Sequence, residues 1–143
     1  MDRKFTLLYV DDEPGNLNAF RITFRRDYHI LLAASAEEGL RLFQDEAVDL
    51  VLSDQRMPGM SGVEFLERVA AIDPGPCRIL VTAYSDLDAI QSAVNRANIF
   101  KYVRKPWDID KLTKTIEQAL DVYGLRQLNR TLNDELSEKN KAL

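Results

Sequence analysis

A doubly wound α/β fold, one parallel sheet covered by helices on both faces, is what three features of the 143-residue sequence predict. Five short apolar runs are spaced along the chain, and segments with helical periodicity separate them. The runs are nearly continuous in apolar residues rather than alternating, as expected for strands buried on both faces. Parallel strands of this kind need right-handed helical crossovers, so all their carboxyl ends share one rim.

Each element follows from its own residues. The run Phe5 to Val10 (FTLLYV) is closed by Asp11-Asp12-Glu13-Pro14 and reads as a strand that ends in acids. Pro14 suits a helix start, and Leu17, Phe20 and Phe24 give that helix one apolar stripe. Tyr28 to Ala33 is the second strand. Ser35 with Glu38 forms a capping box for a helix that carries Leu40 and Phe43. Val48 to Asp54 is the central strand, and a loop rich in Pro and Gly follows it at once. Ser61 with Glu64 repeats the capping box, and Phe65, Leu66 and Val69 supply the inward face of the third helix. Cys77 to Thr82 (CRILVT) is the fourth strand, and Leu87, Ile90 and Val94 mark a fourth helix. Ile99 to Val103 is the fifth strand. After Arg104-Lys105-Pro106, Asp108 caps a fifth helix through Ile109, Leu112, Ile116 and Leu120.

Composition narrows the classes of function. One domain of this length buries roughly 70% of the surface its unfolded chain exposes, so no staples are needed. A single Cys77, no signal peptide and no apolar run of membrane-spanning length lead to the expectation of a soluble cytoplasmic protein with no membrane partner. The formal charge of −4 argues against nucleic-acid binding, which needs clustered Lys and Arg.

The rim predicted to hold the strand ends collects Asp11, Asp12, Asp54, Thr82 and Lys105, each just past the last apolar residue of its strand. In open α/β sheets that rim is where ligands bind. Three carboxylates in one pocket repel one another and raise some pKa values unless a cation neutralises them. A metal is therefore implied. All-oxygen ligands favour a hard ion such as Mg²⁺. Mg²⁺, the Lys105 ammonium and the Thr82 hydroxyl would surround a group with several anionic oxygens, and a phosphoryl group fits. With Asp54 at the centre, its own carboxylate is a candidate acceptor, giving an acyl phosphate.

Each residue alone has a plainer reading. Asp11 or Asp12 would cap the first helix, Lys105 would be a solvated charge, Thr82 a β-branched strand end, and Tyr102 half-buried packing. Joint placement is what favours chemistry. His29 starts a strand away from this rim and receives no role; Cys77 and Trp107 read as packing residues.

Four motifs in order resemble those of the receiver domain of bacterial two-component response regulators. They are the pair Asp11-Asp12, the D-x-x-M-P-x-M-S-G run at Asp54 to Gly62, Thr82 followed by small Ala83, and Tyr102-x-x-Lys105-Pro106. The resemblance covers Leu7 to about Tyr123. It implies a flavodoxin-like fold with strand order 2-1-3-4-5, a receiver domain over 1–123, and a partner sensor histidine kinase that donates a phosphoryl group to Asp54. It also implies that Asp12, Asp54 and the backbone carbonyl of Arg56 ligate Mg²⁺, with Asp11 acting mostly through water. Lys105 and Thr82 would hold phosphoryl oxygens, and Tyr102 would turn inward as Thr82 moves. A cis peptide between Lys105 and Pro106 is implied as well. Such a chain is a switch rather than an enzyme acting on other substrates. Phosphorylation would shift populations and remodel the face made by the fourth helix, fifth strand and fifth helix.

Two other classes compete. Phosphatases of the haloacid dehalogenase type need a second acid two residues after the nucleophile, and here that position holds Arg56. A receiver-like interaction module that is never phosphorylated would not need the complete acidic set. Arg56 and Tyr84 flank the route by which water would reach the acyl phosphate, so a fairly long-lived phosphorylated state is expected.

Residues 124–143 read as a helical linker or a short coiled coil. Gly124 offers a helix end, yet Val122, Leu125, Leu132, Leu136 and Leu143 fit one heptad register, with Asn129 at an a position and Lys139 at a d position. An output domain beyond Leu143 is expected. So is the option of a homodimer through the switching face and the C-terminal helix.

Overall fold

The computed structural model describes the backbone of residues 4–83 and 97–142 and side chains as far as residue 136. Five strands form one sheet: β1 (Thr6–Val10), β2 (His29–Ala33), β3 (Leu50–Asp54), β4 (Cys77–Thr82) and β5 (Lys101–Arg104). All neighbours are parallel and the order is β2-β1-β3-β4-β5, as the resemblance implies. Four helices are described: α1 (Pro14–Phe24), α2 (Ala36–Asp45), α3 (Gly62–Ile72) and α4 (Ile109–Ala142). The helix predicted around Leu87, Ile90 and Val94, together with Tyr84, lies outside the described residues, so α4 is the helix predicted fifth.

Both faces of the sheet are apolar because successive side chains of a strand point to opposite sides. On one side Leu8, Val10, Val51 and Leu80 pack against Phe43 of α2 and Val63, Phe65, Leu66 and Val69 of α3. On the other, Leu7, Tyr9, Leu50, Leu52, Ile79 and Val81 meet Phe20 and Phe24 of α1 and Leu112, Ile116, Ala119 and Leu120 of α4. Each such leucine or phenylalanine contributes about 1.5–3 kcal/mol by leaving water.

The local signals at helix starts are realised. The Ser35 side chain accepts from the Glu38 amide at 3.2 Å, and Ser61 from the Glu64 amide at 3.2 Å. Asp108 accepts from the amides of Asp110 and Lys111 at 2.8 and 3.2 Å. The first helix differs. Its N-cap is Glu13, which makes no side-chain capping bond, so neither Asp11 nor Asp12 is the cap.

Strand limits shift by one or two residues from the predicted ones. Ile99 and Phe100 belong to the approach to β5, which is Lys101–Arg104 rather than Ile99 to Val103, because pairing with β4 registers Ile79 to Lys101. The peptide between Lys105 and Pro106 is cis. Helix α4 runs through Gly124 instead of ending there, although a glycine inside a helix costs about 1 kcal/mol. Anchorage in the next turn accompanies this: Arg126 Nη1 donates to the Gly75 carbonyl at 3.3 Å and lies 3.9 Å from Cys77 Sγ. Beyond it Leu125, Leu128, Leu132 and Leu136 are exposed. No helix among the described residues is long and apolar enough to cross a membrane.

Candidate functional site

The carboxyl ends of β1, β3, β4 and β5 meet at one rim, and the sheet register decides which side chains share it. Asp11 extends β1 by one residue, its amide bonded to the Ala33 carbonyl at 3.1 Å. Asp54 is the last residue of β3, opposite Val81. The Lys105 amide donates to the Thr82 carbonyl at 2.9 Å, which fixes the lysine backbone at the end of β4.

Asp11, Asp12 and Asp54 each offer a carboxylate oxygen, and these oxygens lie within 4.8 Å of one another. Asp11 is wholly buried, Asp54 only 7% exposed, and Asp12 half-buried. Lys105 Nζ reaches Asp54 Oδ1 at 3.1 Å and Asp11 Oδ2 at 3.2 Å. Asp54 Oδ1 also accepts from the Gln55 amide at 2.9 Å. Burial pushes the Asp54 carboxyl above the ordinary carboxylate range; Lys105 opposes the rise and the Asp11 charge adds to it. Burial alone would lower the Lys105 pKa, but hydrogen bonds and charges from Asp54 and Asp11 more than offset it, and its pKa is raised. One cation among three carboxylates leaves an excess of negative charge. With only oxygen donors in the cluster, a small hard divalent cation suits it.

Other predicted residues take different positions. The Thr82 side chain is fully buried, and its hydroxyl donates to the Ala83 carbonyl at 3.3 Å. Tyr102, on β5, is 47% exposed. Arg56 is exposed on the loop after Asp54. His29 is exposed at the start of β2, and Trp107 packs edge-on against Phe20 and tilted against Phe24, each at 6.4 Å.

The loop after Asp54 is tightly held. The Gly62 amide donates to the Gln55 carbonyl at 2.9 Å and the Val63 amide to Gln55 Oε1 at 3.0 Å. A Cβ on Gly62 would overlap the Asp54 carbonyl oxygen, so only glycine lets α3 begin this close to the acid.

Three contributors escape a reading by apolar pattern: Tyr9, Asn16 and Gln55. The Tyr9 hydroxyl donates to Asp11 Oδ2 at 2.7 Å, and Asn16 Nδ2 to the same oxygen at 3.1 Å. Burial, then the hydrogen bond to Asp11, raises the Tyr9 pKa, so the phenol stays a donor. The available signal was the i, i+2 spacing that puts Tyr9 and Asp11 on one side of β1.

The family model of the response regulator receiver domain matches residues 7–117. The chain is 38% identical over 142 residues to the hydrogenase transcriptional regulatory protein HoxA of Cupriavidus necator, covering 99% of this chain and 30% of that one. It is 34% identical over 115 residues to sporulation initiation phosphotransferase F of Bacillus subtilis, covering 80% and 92%. A solved signal receiver domain of an HD domain-containing protein from Pseudomonas fluorescens is 32% identical, with a TM-score of 0.81 over 85% of this chain and 98% of that one. The chain spans less than a third of the length of the first curated relatives it matches.

Proposed function

Because the chain belongs to the response regulator receiver domain family, we propose that it works as a phosphorylation-dependent switch in which Asp54 accepts the phosphoryl group. The observation that carries this reading is the contact of Lys105 with Asp54 at 3.1 Å inside the cluster of three acids. A sensor histidine kinase is the donor. An Asp54 carboxylate oxygen attacks the phosphorus, the bond to the donor histidine nitrogen breaks with its electrons left on nitrogen, and an acyl phosphate results.

Asp12, Asp54 and the Arg56 carbonyl would hold Mg²⁺, with Asp11 acting mostly through water. Bound there, the ion neutralises the charge that develops on the phosphoryl oxygens. Lys105 is within reach of the acceptor and stabilises the same charge. Thr82 moves to bind a second phosphoryl oxygen, and Tyr102, now 47% exposed, turns inward. That rearrangement remodels the surface around β5 and α4 and is favoured by the phosphoryl group alone. Residues 124–143 then serve as a linker helix to an output domain, a reading supported by the greater length of the matched regulators. A homodimer through this face and the exposed leucines of α4 belongs to the same proposal.

Incubation with a small phosphodonor, with and without Mg²⁺, tests the switch. Mg²⁺-dependent labelling of Asp54 to one phosphoryl per chain is expected. Continued turnover of added phosphoester would instead indicate a phosphohydrolase, and absence of labelling an interaction module.

A further inference from the structure

We propose that Tyr9 is a positioning residue that keeps Asp11 out of direct metal coordination and thereby sets a preference for Mg²⁺ over the larger Ca²⁺. The proposal rests on the reading of Asp11, Asp12 and Asp54 as a magnesium site.

The Asp11 oxygen that shares Lys105 with Asp54, Oδ2, is saturated with donors. Oδ2 accepts from Tyr9 Oη at 2.7 Å, Asn16 Nδ2 at 3.1 Å and Lys105 Nζ at 3.2 Å, and Asp11 Oδ1 accepts from the Glu13 amide at 3.0 Å. An ionised carboxylate has about two lone-pair sites on each oxygen, so a metal that bonded Oδ2 directly would have to displace one of its three donors. Lys105 is a flexible chain that can turn to an arriving phosphoryl group. Tyr9 is not free to leave: it is 0% exposed, and its ring stacks on Phe20 with centroids 4.5 Å apart. The shortest of the four bonds is thus the one whose donor is most firmly packed.

The consequence falls on metal choice. Mg²⁺ dehydrates reluctantly and is usually held by one or two carboxylates with several waters, whereas Ca²⁺ takes about six to eight oxygen ligands. Holding the third carboxylate at one remove suits the first ion and starves the second. With Lys105 turned away, removing the Tyr9 hydroxyl leaves Asn16 alone on Oδ2 and opens a lone pair there, and the gain goes mainly to Ca²⁺.

Titration calorimetry of the full chain with Mg²⁺ and, separately, Ca²⁺ tests this in wild type, Tyr9→Phe and Asn16→Ala. Loss of a partner that orients a metal ligand commonly changes affinity about 10–100-fold, so the ratio of Ca²⁺ to Mg²⁺ dissociation constants should fall by about tenfold in Tyr9→Phe. A smaller fall is expected in Asn16→Ala, whose donor sits nearer the surface. Thermal unfolding without metal separates this from a structural role. A lower midpoint with an unchanged ratio in both variants overturns the proposal and leaves the magnesium site standing. Failure of the wild type to bind Mg²⁺ overturns both.

Discussion

Both rims of the sheet hold buried charge, and they handle it in opposite ways. At the amino-terminal rim Arg78 is 1% exposed, yet among the described residues it donates only to backbone carbonyls: Ala97 at 3.0 Å, Pro76 at 2.9 Å, Pro74 at 3.4 Å and Asn98 at 3.2 Å. Asp49, also buried, accepts from the Thr6 amide at 2.8 Å at the start of β1. At the carboxyl-terminal rim Asp11 and Asp54 face each other and Asp12 with Lys105 between them. At Arg78, backbone partners satisfy the charge and tie loops together. Like charges brought together leave a demand that a proton or a bound cation can meet. Burial by itself is therefore no mark of function; the identity of the partners is.

The largest effect expected from breaking this contrast is at the proposed acceptor. Asp54→Asn should abolish phosphoryl uptake and, because a repelling carboxylate is gone, raise the unfolding midpoint of the metal-free protein by a few degrees. Labelling with a phosphodonor and a thermal melt check the two parts. A retained label would move the acceptor elsewhere.

Arg78→Met should do the reverse. It leaves four carbonyls without their donor, those of Ala97 and Pro76 in buried bonds, and a loss of about 2–6 kcal/mol is expected from urea unfolding, at about 1–3 kcal/mol for each of these two unmet buried groups. Labelling per folded molecule should be unchanged. Failure of a folded Arg78→Met protein to label would erase the distinction between the rims.

How far the two rims could be read in advance follows from the range of the forces involved. The acidic rim was legible because each of its acids lies within two residues of the end of an apolar run, and strand polarity then carries all the ends to one edge. The capping serines were legible for a similar reason, since their partners lie three residues away. Arg78 was not: in Cys77-Arg78-Ile79-Leu80-Val81-Thr82 it interrupts an apolar run, and two of its carbonyl partners lie 19 and 20 residues on. Tyr9 was absorbed into its run as one more apolar residue. Gly124 resembled a helix end because Arg126, which reaches the loop at Gly75, is a contact no local pattern contains.

A gentler perturbation of the acidic rim is pH. The folded pKa of Asp54 is raised above the ordinary 3.8, so the folded chain binds its proton more tightly than the unfolded chain. Stability of the metal-free protein should therefore fall as pH rises from the ordinary carboxylate range through the raised value. Mg²⁺, which favours the ionised form, should flatten that slope, and Asp54→Asn should reduce it. Urea midpoints measured across acidic pH with and without the ion check the sign; a slope in the opposite direction would mean that Lys105 outweighs burial.

The smallest expected effect concerns Arg56, the exposed side chain two residues past Asp54. Its loop is held by the two bonds to Gln55 from Gly62 and Val63, and Gly59 has a φ of 81° that suits glycine, so truncation at Arg56 should leave the loop path unchanged. What should change is the cover that this side chain is proposed to give the acyl phosphate. If the side chain adds about 0.5 kcal/mol to the barrier for attack by water, Arg56→Ala should shorten the phosphorylated lifetime roughly twofold. Arg126→Ala, which removes an exposed arginine at the opposite rim, is the matched control. It should alter unfolding slightly and leave the lifetime alone, since Asp54, Lys105 and Thr82, the residues proposed to act on the phosphoryl group, lie at the other edge. Equal lifetimes in wild type and Arg56→Ala would show that water reaches the phosphoryl group by a route this side chain does not cover.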